Sequence, residues 1–217
     1  MSIALSIGNN LTTGGVFTAD AVNNTSVTNV TDFASVPGGG ALKLLSTQTA
    51  SASASISFTS GIDSTYDSYV FKYINIHSSN NIVNFEFNLS TDGGSNYNVT
   101  KTTTQFRAFH GEDDGNPTLR YESSYDLAQS TSFQLLTNNL GNLNDECCSG
   151  TLQLFNPSST TFVKHFIANT LVNSEDDYAY NFNLAGYGNT TSAVNAIQFR
   201  MSSGNIDDGI IKMYGVI

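Results

Sequence analysis

The side chains from which active sites and metal centres are built are few in this chain and poorly spaced for either. The three histidines, His77, His110 and His165, are scattered, and none forms a ligand pair or stands beside a nucleophile motif. G-x-S-x-G, H-E-x-x-H, a P-loop and G-x-G-x-x-G are all missing. The only cysteines, Cys147 and Cys148, are adjacent, a spacing that offers zinc no C-x-x-C pair and favours two ordinary thiols. Carboxylates cluster in four places: Asp63 with Asp67, Glu112-Asp113-Asp114, Glu175-Asp176-Asp177, and Asp207-Asp208. Asp113-Asp114-Gly115-Asn116 resembles part of a calcium-coordinating turn without matching the EF-hand loop, so one structural calcium stands as the alternative to solvated acidic loop tips. Two carboxylates across a cleft could hydrolyse a glycosidic bond, but the chain has no tryptophan to serve as a sugar platform. A protein without enzymatic activity, catalytic residues or cofactor is expected.

The ten tyrosines are more informative. Tyr121, Tyr125, Tyr178, Tyr180 and Tyr187 fall in expected loops or beside turns, where a flat ring with a hydroxyl stacks on sugar or anchors a protein interface. Half-buried sandwich positions are the plainer account of the same residues. Composition narrows the partners further. The net charge is −10 with only 12% charged residues and no basic run, which excludes a nucleic-acid footprint and disfavours anionic membranes. Solubility must come from Ser, Thr and Asn. No stretch resembles a signal peptide or a membrane span, and with two reduced thiols this points to assembly in a cytoplasm.

The elements that would position these residues read as strands. Residues 50–58 alternate small or apolar residues with serine, and 69–76 are aromatic and β-branched throughout, as suits a central strand covered on both faces. Residues 83–89 alternate with Val83, Phe85, Phe87 and Leu89 on one face. Thr91-Asp92-Gly93-Gly94 then predicts a hairpin into 97–104. Residues 105–126 read as a long surface loop. Further strands are expected at 133–136, 150–155, 162–167 and 181–187, and 193–201 with 209–216 as a closing pair. No 3.6-residue period is sustained; 127–130 offers one helical turn at most. The pattern predicts an all-β protein, an antiparallel β-sandwich of jelly-roll type over residues 41–217. Residues 1–40 end in Pro37-Gly38-Gly39-Gly40 and are sparse in large apolar groups, which predicts an extended N-terminal arm.

Four blocks carry a resemblance. Ser55-Ile56-Ser57-Phe58-Thr59-Ser60-Gly61-Ile62-Asp63-Ser64-Thr65-Tyr66, leading into Tyr69-Val70-Phe71 and Ile74-Asn75-Ile76-His77, is the first. Ser90-Thr91-Asp92-Gly93-Gly94-Ser95-Asn96-Tyr97, Leu154-Phe155-Asn156-Pro157-Ser158-Ser159-Thr160-Thr161 and residues 192–215, with their final Ile-Lys-Met-Tyr-Gly, are the others. Together they resemble small structural proteins of marine tailed bacteriophages, over about residues 41–217. The resemblance implies a virion component, fibre-like or capsid-decorating, and no catalytic or binding residues. Its implied partners are other capsid or tail proteins and further copies of itself, a trimer being favoured. A carbohydrate-binding module for host surface glycan is the alternative.

Overall fold

The structure is a computed structural model and describes residues 41–217. It is an antiparallel β-sandwich of twelve strands: β1 (Leu42–Thr49), β2 (Ile56–Phe58), β3 (Ser68–Ser78), β4 (Val83–Ser90), β5 (Lys101–Gly111), β6 (Thr118–Tyr121), β7 (Gln134–Leu140), β8 (Cys148–Phe155), β9 (Lys164–Asn173), β10 (Tyr178–Gly188), β11 (Ala196–Met201) and β12 (Ile206–Val216). Eight form one sheet in the order β1-β12-β3-β8-β9-β10-β5-β6, and four form the other, β2-β11-β4-β7. Among the described residues no helix is long and apolar enough to cross a membrane.

The pairings are nested. β2 lies against β11 in the small sheet, β3 against β8 in the large one, β4 against β7 in the small one and β5 against β6 in the large one. The hairpin β9–β10 is let in between β8 and β5, and β12 and β1 extend the large sheet beyond β3. Between the sheets the core is aromatic. Phe199 of β11 stacks on Phe85 of β4 at 5.9 Å, and Phe58 and Phe71 close on it from either sheet. The alternation expected for 83–89 is present, with Val83, Phe85, Phe87 and Leu89 all buried.

Several expected elements differ. Residues 50–55 do not join a continuous strand: Ala52 has φ +48°, and Ala52 and Ala54 are exposed. Their amides follow the carbonyls of the end of β12 instead, Ala50 donating to Gly209, Ala52 to Asp207 and Ser53 to Ile206. β3 is buried on its inner face, whereas Val70, Lys72 and Ile74 on the other side are at least partly exposed. The turn at Gly93 and Gly94 exists, with φ +72° and +89°, yet it does not make a hairpin. The chain leaves β4 in the small sheet there and enters β5 in the large one. β11 and β12 likewise fall in opposite sheets and do not close on each other. Residues 105–126 are strand β5, strand β6 and one 3-10 turn at Ser123–Tyr125, in place of a loop. The expected arm, residues 1–40, lies outside the described residues.

Candidate functional site

The outer face of the large sheet is assembled row by row, because residues opposite one another on paired strands point the same way. One row runs Tyr121, Phe106, Asn183, Asn169, Thr151, Lys72, Lys212. The next runs Thr104, Ala185, Ile167, Gln153, Val70, Tyr214, Leu44. On either side lie Ala108, Asn181, Leu171 and Ser149, and Thr102, Tyr187 and His165. None of these four rows contains a carboxylate, although the chain holds 18 Asp and Glu. The nearest acids on the sheet, Asp207 and Asp208, sit at the bulged end of β12, where Asp207 faces His77 at 3.5 Å.

Short side chains in the middle of the face open a groove of about 390 Å³. Ala185, Thr104 and Thr151 leave it low, and Phe106, Ile167 and Val70 rise around it. A second groove of about 340 Å³ continues it across Ala185 and Ile167 toward Tyr187 and His165. Phe106, Ile167 and Leu171 are between 46% and 53% exposed, which for large apolar side chains on one sheet face marks a contact surface. Beside them is an amide cluster. Asn169 Nδ2 donates to Asn181 Oδ1 at 2.6 Å and to Asn183 Oδ1 at 3.0 Å, and Asn183 Nδ2 donates to Asn181 Oδ1 at 3.1 Å.

The cations are distributed unevenly. Arg107 and Arg120 share Glu122, and Arg200 faces Glu86. Lys101 and Lys164 are buried, with their ammonium groups donating to Asn88 Oδ1 and backbone carbonyls, and burial lowers both pKa values. The remaining three of the eight, Lys43, Lys72 and Lys212, lie on the adjacent strands β1, β3 and β12. Lys72 and Lys212 stand directly opposite each other. Among the described residues neither has a carboxylate within ion-pair distance; Lys72 Nζ lies 5.4 Å from the centre of the Tyr214 ring.

No protein-family model, curated protein or solved structure matches this chain.

The five tyrosines divide into two groups. Tyr121 and Tyr187 border the outer face, Tyr187 with its ring 6.3 Å from that of His165 and Tyr121 hydrogen-bonded to Asp126. Tyr125, Tyr178 and Tyr180 face inward. Tyr180 is buried, donates to Asp176 Oδ2 at 2.7 Å and stacks on Tyr178 at 5.6 Å. With Phe109, Phe182 and Tyr125 it encloses the Arg107 guanidinium, 4.4 Å above the Tyr180 ring. Arg107 Nε stands 2.6 Å from Glu122 Oε1 without aiming its N–H at it, so the contact is an ion pair more than a hydrogen bond. Tyr178, Tyr180 and Tyr187 lie in strand β10 and not in loops, and the alternation of the strand turns Tyr178 and Tyr180 inward and Tyr187 outward.

Two further clusters gather titratable side chains. His77, Cys147, Asp207 and Asp208 line one depression. The ring of His77 meets Asp207 through Nδ1 and the Leu143 carbonyl through Nε2, so both nitrogens face acceptors and neither is placed to take a thiol proton. Burial and the nearby Asp145 raise the Cys147 pKa, the wrong direction for a nucleophile. Glu112, Asp113, Asp176 and Asp177 line another depression with Tyr178. Burial pushes the Asp176 pKa up, but hydrogen bonds from Ser174 and Tyr180 outweigh it and hold the group below the ordinary range. A general acid for glycoside cleavage needs the opposite shift. Among the described residues no three or more His, Cys, Asp or Glu are gathered closely enough to hold a metal ion.

The residues that make the face, Ile167, Asn169, Asn181, Asn183, Gln153, Lys72 and Lys212, were not singled out from sequence. A signal for part of it exists: Tyr180-Asn181-Phe182-Asn183-Leu184 alternates rings and Leu with Asn, and the Asn side is the outer one.

Proposed function

We propose that this chain is a non-enzymatic virion structural protein of a tailed bacteriophage, exposed on the particle surface as a capsid decoration or part of a tail fibre or adhesin. It assembles in the host cytoplasm and makes its contacts through the outer face of the large sheet. The observation behind the contact surface is the absence of carboxylates from four rows of that face in a chain of net charge −10. A face that only met water would have no reason to exclude the commonest charges of the chain while keeping Phe106, Ile167 and Leu171. The virion assignment is supported by the resemblance of the quoted blocks.

The nested pairing supports a jelly roll built from β2 to β8 and β11, with β9–β10 inserted and β12 and β1 added at one edge. Double-sheet jelly rolls occur in viral capsid and lectin domains, so the fold suits either use and selects neither. A homotrimer is the assembly this reading favours, since neighbouring copies cover exposed strand edges. Quantitative mass spectrometry of purified particles, against the major capsid protein, tests the assignment. Hundreds of copies per particle identify a head decoration, and a few tens or fewer identify a tail component. Absence from the particles rejects the virion reading.

The second reading, a carbohydrate-binding module for host surface glycan, is favoured by one feature: the groove with amides and hydroxyls around apolar walls.

A further inference from the structure

We propose that the groove on the large sheet binds an acidic polysaccharide, its sugar rings lying over Ile167 and Ala185 and an anionic substituent meeting Lys72 and Lys212. The inference rests on the reading of this face as the contact surface and names what is contacted.

The lysine pair is the first reason. Like charges directly opposite on neighbouring strands destabilise a sheet. Here they stand opposite with no carboxylate near them among the described residues, in a chain that has more than twice as many acids as bases. An incoming carboxylate or sulfate offsets that repulsion. A second copy docked face to face brings no carboxylate from the four rows, and the Asp126 carboxylate beside them is already held by Tyr121. A nucleic acid is held by aromatic rings that stack its bases along a basic track, whereas this groove is floored by Ala185, Thr104 and Thr151 with two lysines to one side. A glycan chain, with C–H faces and hydroxyls between its charges, fits.

The groove chemistry is the second reason. A pyranose ring presents C–H faces and a rim of hydroxyls; the groove presents apolar walls and a rim of amides and hydroxyls, Asn169, Asn183, Gln153 and Thr104 among them. Its volume of about 390 Å³ lies within the usual range of small-ligand sites. The amide cluster is already ordered by its own hydrogen bonds, so little freedom is lost when a ligand arrives.

Electrophoresis of the full chain in native gels containing alginate, dextran sulfate or neutral dextran tests this. Alginate and dextran sulfate should retard the protein, and neutral dextran should not. The double variant Lys72→Gln/Lys212→Gln should bind alginate about tenfold more weakly, the scale expected for losing charge-assisted contacts. Ile167→Asp should abolish retention while the variant stays folded by circular dichroism, and the lysine variant should melt no lower than wild type, since it relieves the like-charge pair. Equal wild-type mobility in all three gels overturns the proposal, as does a lysine variant that binds alginate like wild type. Retardation by neutral dextran equal to that by alginate overturns it in favour of a neutral glycan. If no gel retards the protein and sedimentation shows an oligomer that Ile167→Asp dissociates, the face joins subunits: this inference fails while the contact surface stands. Alginate retention by a protein missing from purified particles gives the reverse result, rejecting the virion reading alone.

Discussion

Lys101 is fully buried at the start of β5, and among the described residues its ammonium group meets only Asn88 Oδ1 and the Val99 carbonyl. Burial lowers its pKa from 10.5 to about 7. Between those values the unfolded chain holds a proton that the folded one has released, so stability rises with pH across the window from about 7 to 10.5 and is lowest below it. Urea unfolding at pH 7.5 and 9.5 should show wild type gaining roughly 2 kcal/mol relative to Lys101→Met over that interval, by the usual conversion of pKa shift to free energy. A difference that does not change with pH would remove Lys101 from the account. Glu122 makes a second test. It is the buried counter-charge of Arg107, and it also holds the largely exposed Arg120. Glu122→Gln leaves a guanidinium enclosed by aromatic rings with no carboxylate, which should cost about 3 kcal/mol in urea unfolding. Arg120→Gln should cost only a small fraction of that. At this scale the sequence was partly legible: the residue type could be picked out, but whether a tyrosine ring faces in or out depends on strand phase. Tyr180 and Tyr187 differ in phase alone.

Strand phase also decided which elements could be read. β4 was legible because its inward residues are apolar and its neighbours mostly are not. β5 inverts that rule: Lys101, Thr103, Gln105 and Arg107 point inward, while Phe106 and Ala108 point outward. Its second part, residues 105–111, reads as a loop until Glu122 and the aromatic cage are known to neutralise Arg107. The apparent closing pair failed for a different reason, since alternation identifies strands without saying which sheet each joins. The β3–β12 seam depends on a backbone device as well. Gly209 has φ +122° where the register shifts, and a Cβ there would lie 2.7 Å from the Asn75 carbonyl oxygen and 2.9 Å from Ile76 Cα. Both neighbours are backbone and cannot turn aside. Gly209→Ala should therefore destabilise the protein by about 2–3 kcal/mol in denaturant unfolding. A loss under 0.5 kcal/mol, the ordinary range for surface substitutions, would show that the seam relaxes easily.

Across the whole molecule the pairings separate into local and distant ones, and this order has a kinetic consequence. β8, β9 and β10 are successive neighbours in sequence and in the sheet, and β5–β6 is a hairpin. β1 with β12, β2 with β11 and β3 with β8 join segments far apart along the chain, and each closes a loop before its contacts repay it. Sandwiches dominated by such pairings fold in milliseconds to seconds. The β8–β9–β10 meander is therefore the part expected to form first, and β12, which needs β3 and β1 on either side, the part expected last. Val172→Ala in β9 and Met213→Ala in β12 both remove buried volume. In stopped-flow unfolding and refolding, Val172→Ala should slow refolding, whereas Met213→Ala should leave refolding nearly unchanged and speed unfolding. The opposite pattern would place the nucleus at the seam between β3 and β12.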